Sequence, residues 1–262
     1  MKPLKELIED NRWQAAQQAE FEGWQTSKAV ELELEEIRIK YGEYLMQIAK
    51  DIEFNQNWEV LDVGCGPTCI SQFLPPAKKT GIDPLAERQN IADKTVADVL
   101  VRQGRGETLQ FNDKTFDLVI CRNVIDHTGN PKQVIREMHR ILKNSGYLIL
   151  ASYVYPPFIR LTKNLAEKFS QFRNVAHPHT FTPNDLEMLI AEYFSILRSD
   201  CIHIGQHPND YGKINELESK LPLIQELIVI INNKILRGGW FLKEHCLLLR
   251  KERATQRTSR FL

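Results

Sequence analysis

The 262-residue chain has no excess charge of either sign, since 34 Lys and Arg residues balance 34 Asp and Glu residues. A neutral balance supplies no broad field for nucleic acid or anionic lipid, so no nucleic-acid partner is expected. Long apolar runs are missing too. None approaches the roughly 20 residues that span a bilayer. No apolar signal core follows the opening Met1-Lys-Pro-Leu-Lys-Glu6, so export is not expected either. Cysteine is scarce: Cys65, Cys69, Cys121, Cys201 and Cys246 form no disulfide framework. No second Cys or His pair follows Cys65 and Cys69 at zinc-finger spacing, so no metal is expected. The thiols read as reduced groups of a cytoplasmic protein. Repeats and low-complexity linkers are absent as well.

What is present is enough apolar residue, 42%, for one α/β domain with additions. Residues 1–55 read as an N-terminal helical cap, with helices over about 3–22 and 27–52. Val30, Leu34, Ile37, Tyr41, Tyr44, Leu45 and Ile48 give the second helix one apolar face. Trp13 and Trp24 are expected to pin the cap down. The pattern then changes period. Short β-branched runs at 58–63, 80–83, 99–103, 116–121 and 147–152 read as buried strands, with further strands at about 195–204 and 240–250. Helices are expected at 68–74, between the second and third strands, at 131–143 (Asn130 as cap, Pro131 in the first turn) and after Thr182-Pro183. Strands alternating with helices imply a mostly parallel sheet with helices on both faces. This domain covers 56–252, with helical insertions at about 155–180 and 209–237 and a basic tail at 253–262. The apolar stretch Leu221–Ile231 reads as a buried or cap-packing helix, with membrane contact or a homodimer interface as the alternatives.

The chemistry concentrates in Val60-Leu-Asp-Val-Gly-Cys-Gly-Pro67, at the end of the first strand. Gly64 and Gly66 permit a sharp turn and a close approach of ligand to backbone. Asp62 precedes them, and Asp83 ends the next strand at the spacing that places a carboxylate on a ribose diol. A dinucleotide also fits that spacing, but its fingerprint needs a third glycine where Cys69 stands. S-adenosylmethionine has no phosphate and makes no such demand. The absence of Gly-Lys-Ser/Thr excludes a P-loop.

Taken together, these segments resemble the class I S-adenosylmethionine-dependent methyltransferases, of the type 11-like group. Gly64, Cys65 and Gly66 match the family's first motif. Gly81-Ile-Asp-Pro-Leu-Ala-Glu87 is similar to the second, which assigns Asp83 to the ribose and Leu85 to the adenine surroundings. Residues 104–119 are similar to the Gly-Asp-Ala-Glu-x-Leu-Pro-Phe segment, placing Gly106 and Glu107 beside the adenine. Arg105 stands where the family often has an aspartate, and an arginine cannot accept the adenine amino hydrogen bond; stacking on its guanidinium is the alternative. Thr68 replaces another common glycine. Arg122-Asn-Val-Ile-Asp-His127 matches the loop after the fourth strand. The resemblance implies a Rossmann-like seven-stranded sheet with an antiparallel last strand, S-adenosylmethionine as cofactor, and methyl transfer by in-line displacement.

The acceptor side is less defined. His127 and His177 are candidate catalytic residues, joined by His179 on the same expected sheet edge, and a structural role is the competing reading for each. Asp62, Arg122 and Tyr41 are candidate cofactor contacts, with Tyr41 and Tyr44 expected over the methionine end. Arg122-Asn-Val-Ile lacks the Asn/Asp-Pro-Pro-aromatic signature of base-amino methylation, so the expected acceptor is the oxygen or nitrogen of a small molecule. A non-catalytic S-adenosylmethionine-binding or scaffold protein and a nicotinamide-dependent oxidoreductase are the alternatives.

Overall fold

A computed structural model describes residues 11, 13–22, 42–67, 69–88, 99–157, 160–161, 177–203 and 243–252. Tyr41, Thr68, Trp24, most of the 155–180 insertion, all of 209–237 and the 253–262 tail lie outside them. Seven strands run β1 (Glu59–Val63), β2 (Lys78–Asp83), β3 (Val99–Gln103), β4 (Phe116–Arg122), β5 (Leu142–Val154), β6 (Phe194–His203) and β7 (Lys243–Lys251). Their order across one sheet is β3-β2-β1-β4-β5-β7-β6. β1 to β5 pair in parallel; β7 lies antiparallel to both β5 and β6. The chain winds outward from β1 on one side and from β4 on the other. The C-terminal ends of β1 and β4 therefore open a crevice at the switch point, where ligands enter α/β sheets.

The period-2 alternation of the strands sorts the core into two layers. Leu61, Val63, Val119, Cys121, Leu148 and Leu150 face α3 (Pro131–Ile141) and α4 (Pro183–Ile190), which contribute Val134, Ile135, Met138, Leu186 and Ile190. Val60, Leu118, Ile120, Ile149 and Leu248 face the other way. There Leu45, Ile48, Ala49 and Ile52, on and just after α2 (residues 42–49), close the core. A further helix, α1 (residues 13–22), precedes them.

Several element boundaries differ from the sequence expectation, each for a local reason. The expected helix at 68–74 is only a 3-10 turn at Ile70–Phe73. The Ser71 N–H goes to the Asp62 carboxylate at 3.0 Å, and Pro75-Pro76 follows directly, so no longer helix can form. α3 begins as expected on Asn130, whose side chain accepts from Gln133 N–H. It stops at Ile141 rather than Lys143, and β5 begins at once. Neighbouring segments take its last carbonyls: Thr115 N–H bonds Ile141 O at 2.7 Å, and Lys251 Nζ bonds His139 O and Leu142 O, each at 2.6 Å. α4 opens on a capping box in which Thr182 and Asp185 exchange hydrogen bonds.

Candidate active site

Gly64 and Gly66 both hold positive φ, +65° and +51°, in the turn that leaves β1. Gly64 and Cys65 donate to the Ile82 carbonyl, fastening this turn to β2. The two glycines face different surroundings. A Cβ on Gly64 would lie 2.3 Å from Val124 Cγ2, whereas a Cβ on Gly66 meets nothing within 4 Å. Only Gly66 therefore turns bare backbone toward open space. Cys65 is buried beside Cys69.

Asp83 stands across from that opening. Its Oδ2 accepts the Gly66 N–H at 3.1 Å and its Oδ1 the Leu85 N–H at 2.7 Å. Burial pushes its carboxyl above the usual range, although both N–H donors pull it down. A carboxylate has about four lone-pair sites, so these two bonds leave capacity for a diol. Leu85 itself is buried. Asp62 lies beneath the turn, 2% exposed, where it holds Ser71 N–H. Burial, outweighing that hydrogen bond, pushes its carboxyl up to about 7.

Residues 105–108 form a tight turn closed by Thr108 N–H on Arg105 O. Gly106 is buried, with room for a Cβ only at 3.1 Å from Val134 Cγ1. Glu107 Oε1 accepts the Gly129 N–H at 2.8 Å, tying this turn to the loop after β4. The Arg105 guanidinium stacks 3.7 Å above the Trp13 ring, so the N-terminal region reaches this turn. α1 continues across the same edge. Arg88 binds Gln18 and covers the Phe21 ring, and Glu20 comes to 3.5 Å from His127 Nδ1.

Arg122 forms a two-point ion pair with Glu244 of β7, at 2.7 and 2.8 Å, and Asn123 Nδ2 adds a bond to the same carboxylate. This pairing joins residues far apart in the chain, and nothing local in the sequence signals it. Tyr44 lies on α2 with its hydroxyl buried near Cys246 and Glu244; desolvation, then those two groups, hold it protonated far above the ordinary phenol range.

Beyond β4, Ile125–His127 makes one 3-10 turn that buries Asp126. His177 Nδ1 lies 2.7 Å from Asp126 Oδ2, and the His127 and His177 rings approach to 4.3 Å between centroids. His179 N–H and its ring bond Asp126 O and Thr128 O, which docks residues 177–181 onto the β4 loop. Burial would raise the Asp126 carboxyl, but the charge of His127 and the hydrogen bond and charge of His177 outweigh it and hold it below the usual range. The two expected histidines thus meet about the buried Asp126 carboxylate. Glu20 joins them without any local motif. Its one signal is helical spacing, since Trp13, Ala16 and Glu20 share a face of α1 on which Ala16 is fully buried.

A methyltransferase domain model matches residues 61–150. YcgJ of Bacillus subtilis, an uncharacterized methyltransferase, is 29% identical over 159 residues, covering 58% of this chain and 62% of that protein. Its crystal structure superposes with a TM-score of 0.57 at 21% identity, over 80% of this chain and 97% of that one. A rat thiol S-methyltransferase is 32% identical over 45% of this chain and 52% of its own. A ubiquinone biosynthesis O-methyltransferase of Pseudomonas entomophila is 35% identical over 36% of this chain and 44% of its own. The chain thus spans under two thirds of the length of each of these curated relatives. No helix among the described residues is long and apolar enough to cross a membrane. Residues 61–150 thus match a methyltransferase domain, and the seven-stranded fold is shared with YcgJ.

Proposed function

We propose that this chain transfers the methyl group of S-adenosylmethionine to a heteroatom, oxygen or nitrogen in the first instance, of a small-molecule acceptor. The observation that carries the reading is the pairing of Asp83 with Gly66 at the β1–β4 crevice. A ligand can touch the Gly66 backbone because nothing stands within 4 Å of its Cβ direction, and Asp83 remains able to accept from a ribose diol. The donor supplies a methyl on a sulfonium, already a good leaving group. The protein's task is alignment of the acceptor and exclusion of water. Gly106 and Glu107 form the adenine side, Asp62 braces the turn from below, and Leu85 orients Asp83 through its N–H. His127 and His177 form the acceptor side, beyond the end of β4. The rat and Pseudomonas relatives act, by name, on sulfur and oxygen, which supports heteroatom transfer.

Calorimetry with S-adenosylhomocysteine tests the donor half. Asp83→Ala should weaken binding by about 1–3 kcal/mol, the cost of unpaired hydroxyls. Unchanged affinity in a folded variant removes Asp83 from the site. A panel of oxygen, nitrogen and sulfur acceptors with methyl-labelled donor tests the other half. Absence of turnover across the panel with intact donor binding would favour a scaffold role.

A further inference from the structure

We infer that Glu20, His127 and His177 form a binding site for one divalent transition-metal ion of the zinc type, which presents the acceptor to the methyl donor. One ligand atom from each residue lies within 4.8 Å of the others. Three atoms so spaced always leave a point within about 2.8 Å of all of them, so shifts of under 1 Å bring all three to the ~2.0–2.2 Å of zinc–nitrogen and zinc–oxygen bonds. Two imidazoles and one carboxylate are the donor set of catalytic zinc sites, which keep an open coordination position.

The surroundings carry the inference further. Ligating histidines are held by a carboxylate on their other ring nitrogen. Asp126 does this for His177, at 2.7 Å from Nδ1, so Nε2 is the nitrogen directed away from it. For His127, Nδ1 faces Glu20 at 3.5 Å and Nε2 faces Asp126 at 3.7 Å. One buried carboxylate thus bonds the His177 imidazole and lies near the His127 imidazole. Its second oxygen, Oδ1, is buried without a hydrogen-bond partner among the described residues. A buried carboxylate oxygen so placed signals a missing polar group, such as a water bound to an ion here. The three ligands come from α1, the β4 loop and residue 177, so no local spacing in the sequence reveals them.

The site's role in presenting an acceptor rests on the proposed methyl transfer; ion binding itself does not. An ion with three protein ligands takes an acceptor's oxygen or sulfur as an anion, the displaced proton passing to solvent. Equilibrium dialysis of the full chain with Zn²⁺, and absorption spectra with Co²⁺, are the tests. We expect one ion per chain and the visible bands of four- or five-coordinate Co²⁺. His127→Ala and Glu20→Gln should each lose the bands, and Asp126→Asn should weaken binding about 10- to 100-fold, as outer partners of metal sites do. Glu20→Gln lies on a partly exposed helix position, so it keeps the test open if a loop variant fails to fold. Octahedral Co²⁺ spectra, less than one ion per chain, or equal affinity in folded variants overturns the site. S-adenosylhomocysteine calorimetry on the ion-free protein separates that outcome from failure of the methyl-transfer reading, since the donor contacts proposed above, Gly66 and Asp83, are not among the three ligands.

Discussion

Replacing Gly64 with alanine tests how the glycine turn is built. The new residue would sit at φ +65°, a conformation costing an L-residue roughly 1–2 kcal/mol. Its methyl would also fall 2.3 Å from Val124 Cγ2 and 2.8 Å from Cγ1. Val124 packs against the α3-side core and cannot simply swing out, so overpacking adds about 1–3 kcal/mol. The single variant should lose about 2–5 kcal/mol in total. Val124→Ala alone removes two methyl groups and should cost roughly 1.6 kcal/mol. In the double variant the clash is relieved and only the φ cost persists, so its loss should fall short of the sum by about 1–3 kcal/mol. Gly66→Ala is the control, with φ +51° and nothing within 4 Å. It should cost only the conformational 1–2 kcal/mol, show no coupling to Val124, and weaken S-adenosylhomocysteine binding more than tenfold. Urea denaturation at constant m-value reads the stabilities, and calorimetry reads the binding. Additivity of Gly64 and Val124 within about 0.5 kcal/mol, or normal ligand affinity in Gly66→Ala, would refute this account of the turn.

Two further outcomes follow from the same geometry. Asp62, with its carboxyl at about 7 in the folded protein and near 3.9 in an unfolded chain, keeps a proton on folding between those values. Its contribution to stability therefore falls as pH rises from about 4 to about 7 and is flat above, a loss of roughly 4 kcal/mol. Asn at this position still accepts from Ser71 N–H, so Asp62→Asn should melt higher than wild type at pH 8 and alike at pH 4; a pH-independent difference contradicts the burial argument. Trp13→Ala removes the cation–π contact with Arg105, worth about 0.5–1 kcal/mol at a partly exposed site, and should speed amide exchange within residues 13–22; unchanged protection means that α1 is held by other contacts.

The sheet was legible because its central strands are buried on both faces and its strands are bounded by glycine or turn residues. Val99–Gln103 was read to the residue, whereas the bond from Gly66 N–H to Asp83 appears only in the fold. Length fooled the reading where tertiary bonds override propensity. Asp62 captures Ser71 N–H and shortens the turn after β1, and Lys251 caps α3 from the far end of the chain. Among candidate site residues, the motif-borne ones could be named from sequence, whereas the contacts that assemble across the fold could not. The pairing of Arg122 with Glu244, 122 residues away, has no local signal in the sequence. His127 and His177 were expected on one sheet edge; the carboxylate between them depends on residues 177–181 docking onto the β4 loop. The two glycines read alike in sequence, and only the position of Val124 distinguishes them.

The placement of α1 has a consequence for the chemistry of the crevice. Its residues touch the loops that follow β2, β3 and β4, through Arg88, Arg105 and His127 in turn. These are the loops on which a cofactor and an acceptor in a Rossmann-like sheet depend. A helix bound to all three shields them from water, and shielding strengthens every electrostatic contact inside. The same side chain, Glu20, then belongs both to the helix that covers the edge and to the histidine cluster beneath it. Loosening α1 at Trp13 and altering the cluster at Glu20 should accordingly be coupled. The Trp13→Ala and Glu20→Gln double variant should show an exchange rate in residues 13–22 that departs from the sum of the single effects, and additive effects would mean that the helix and the cluster are independent structures.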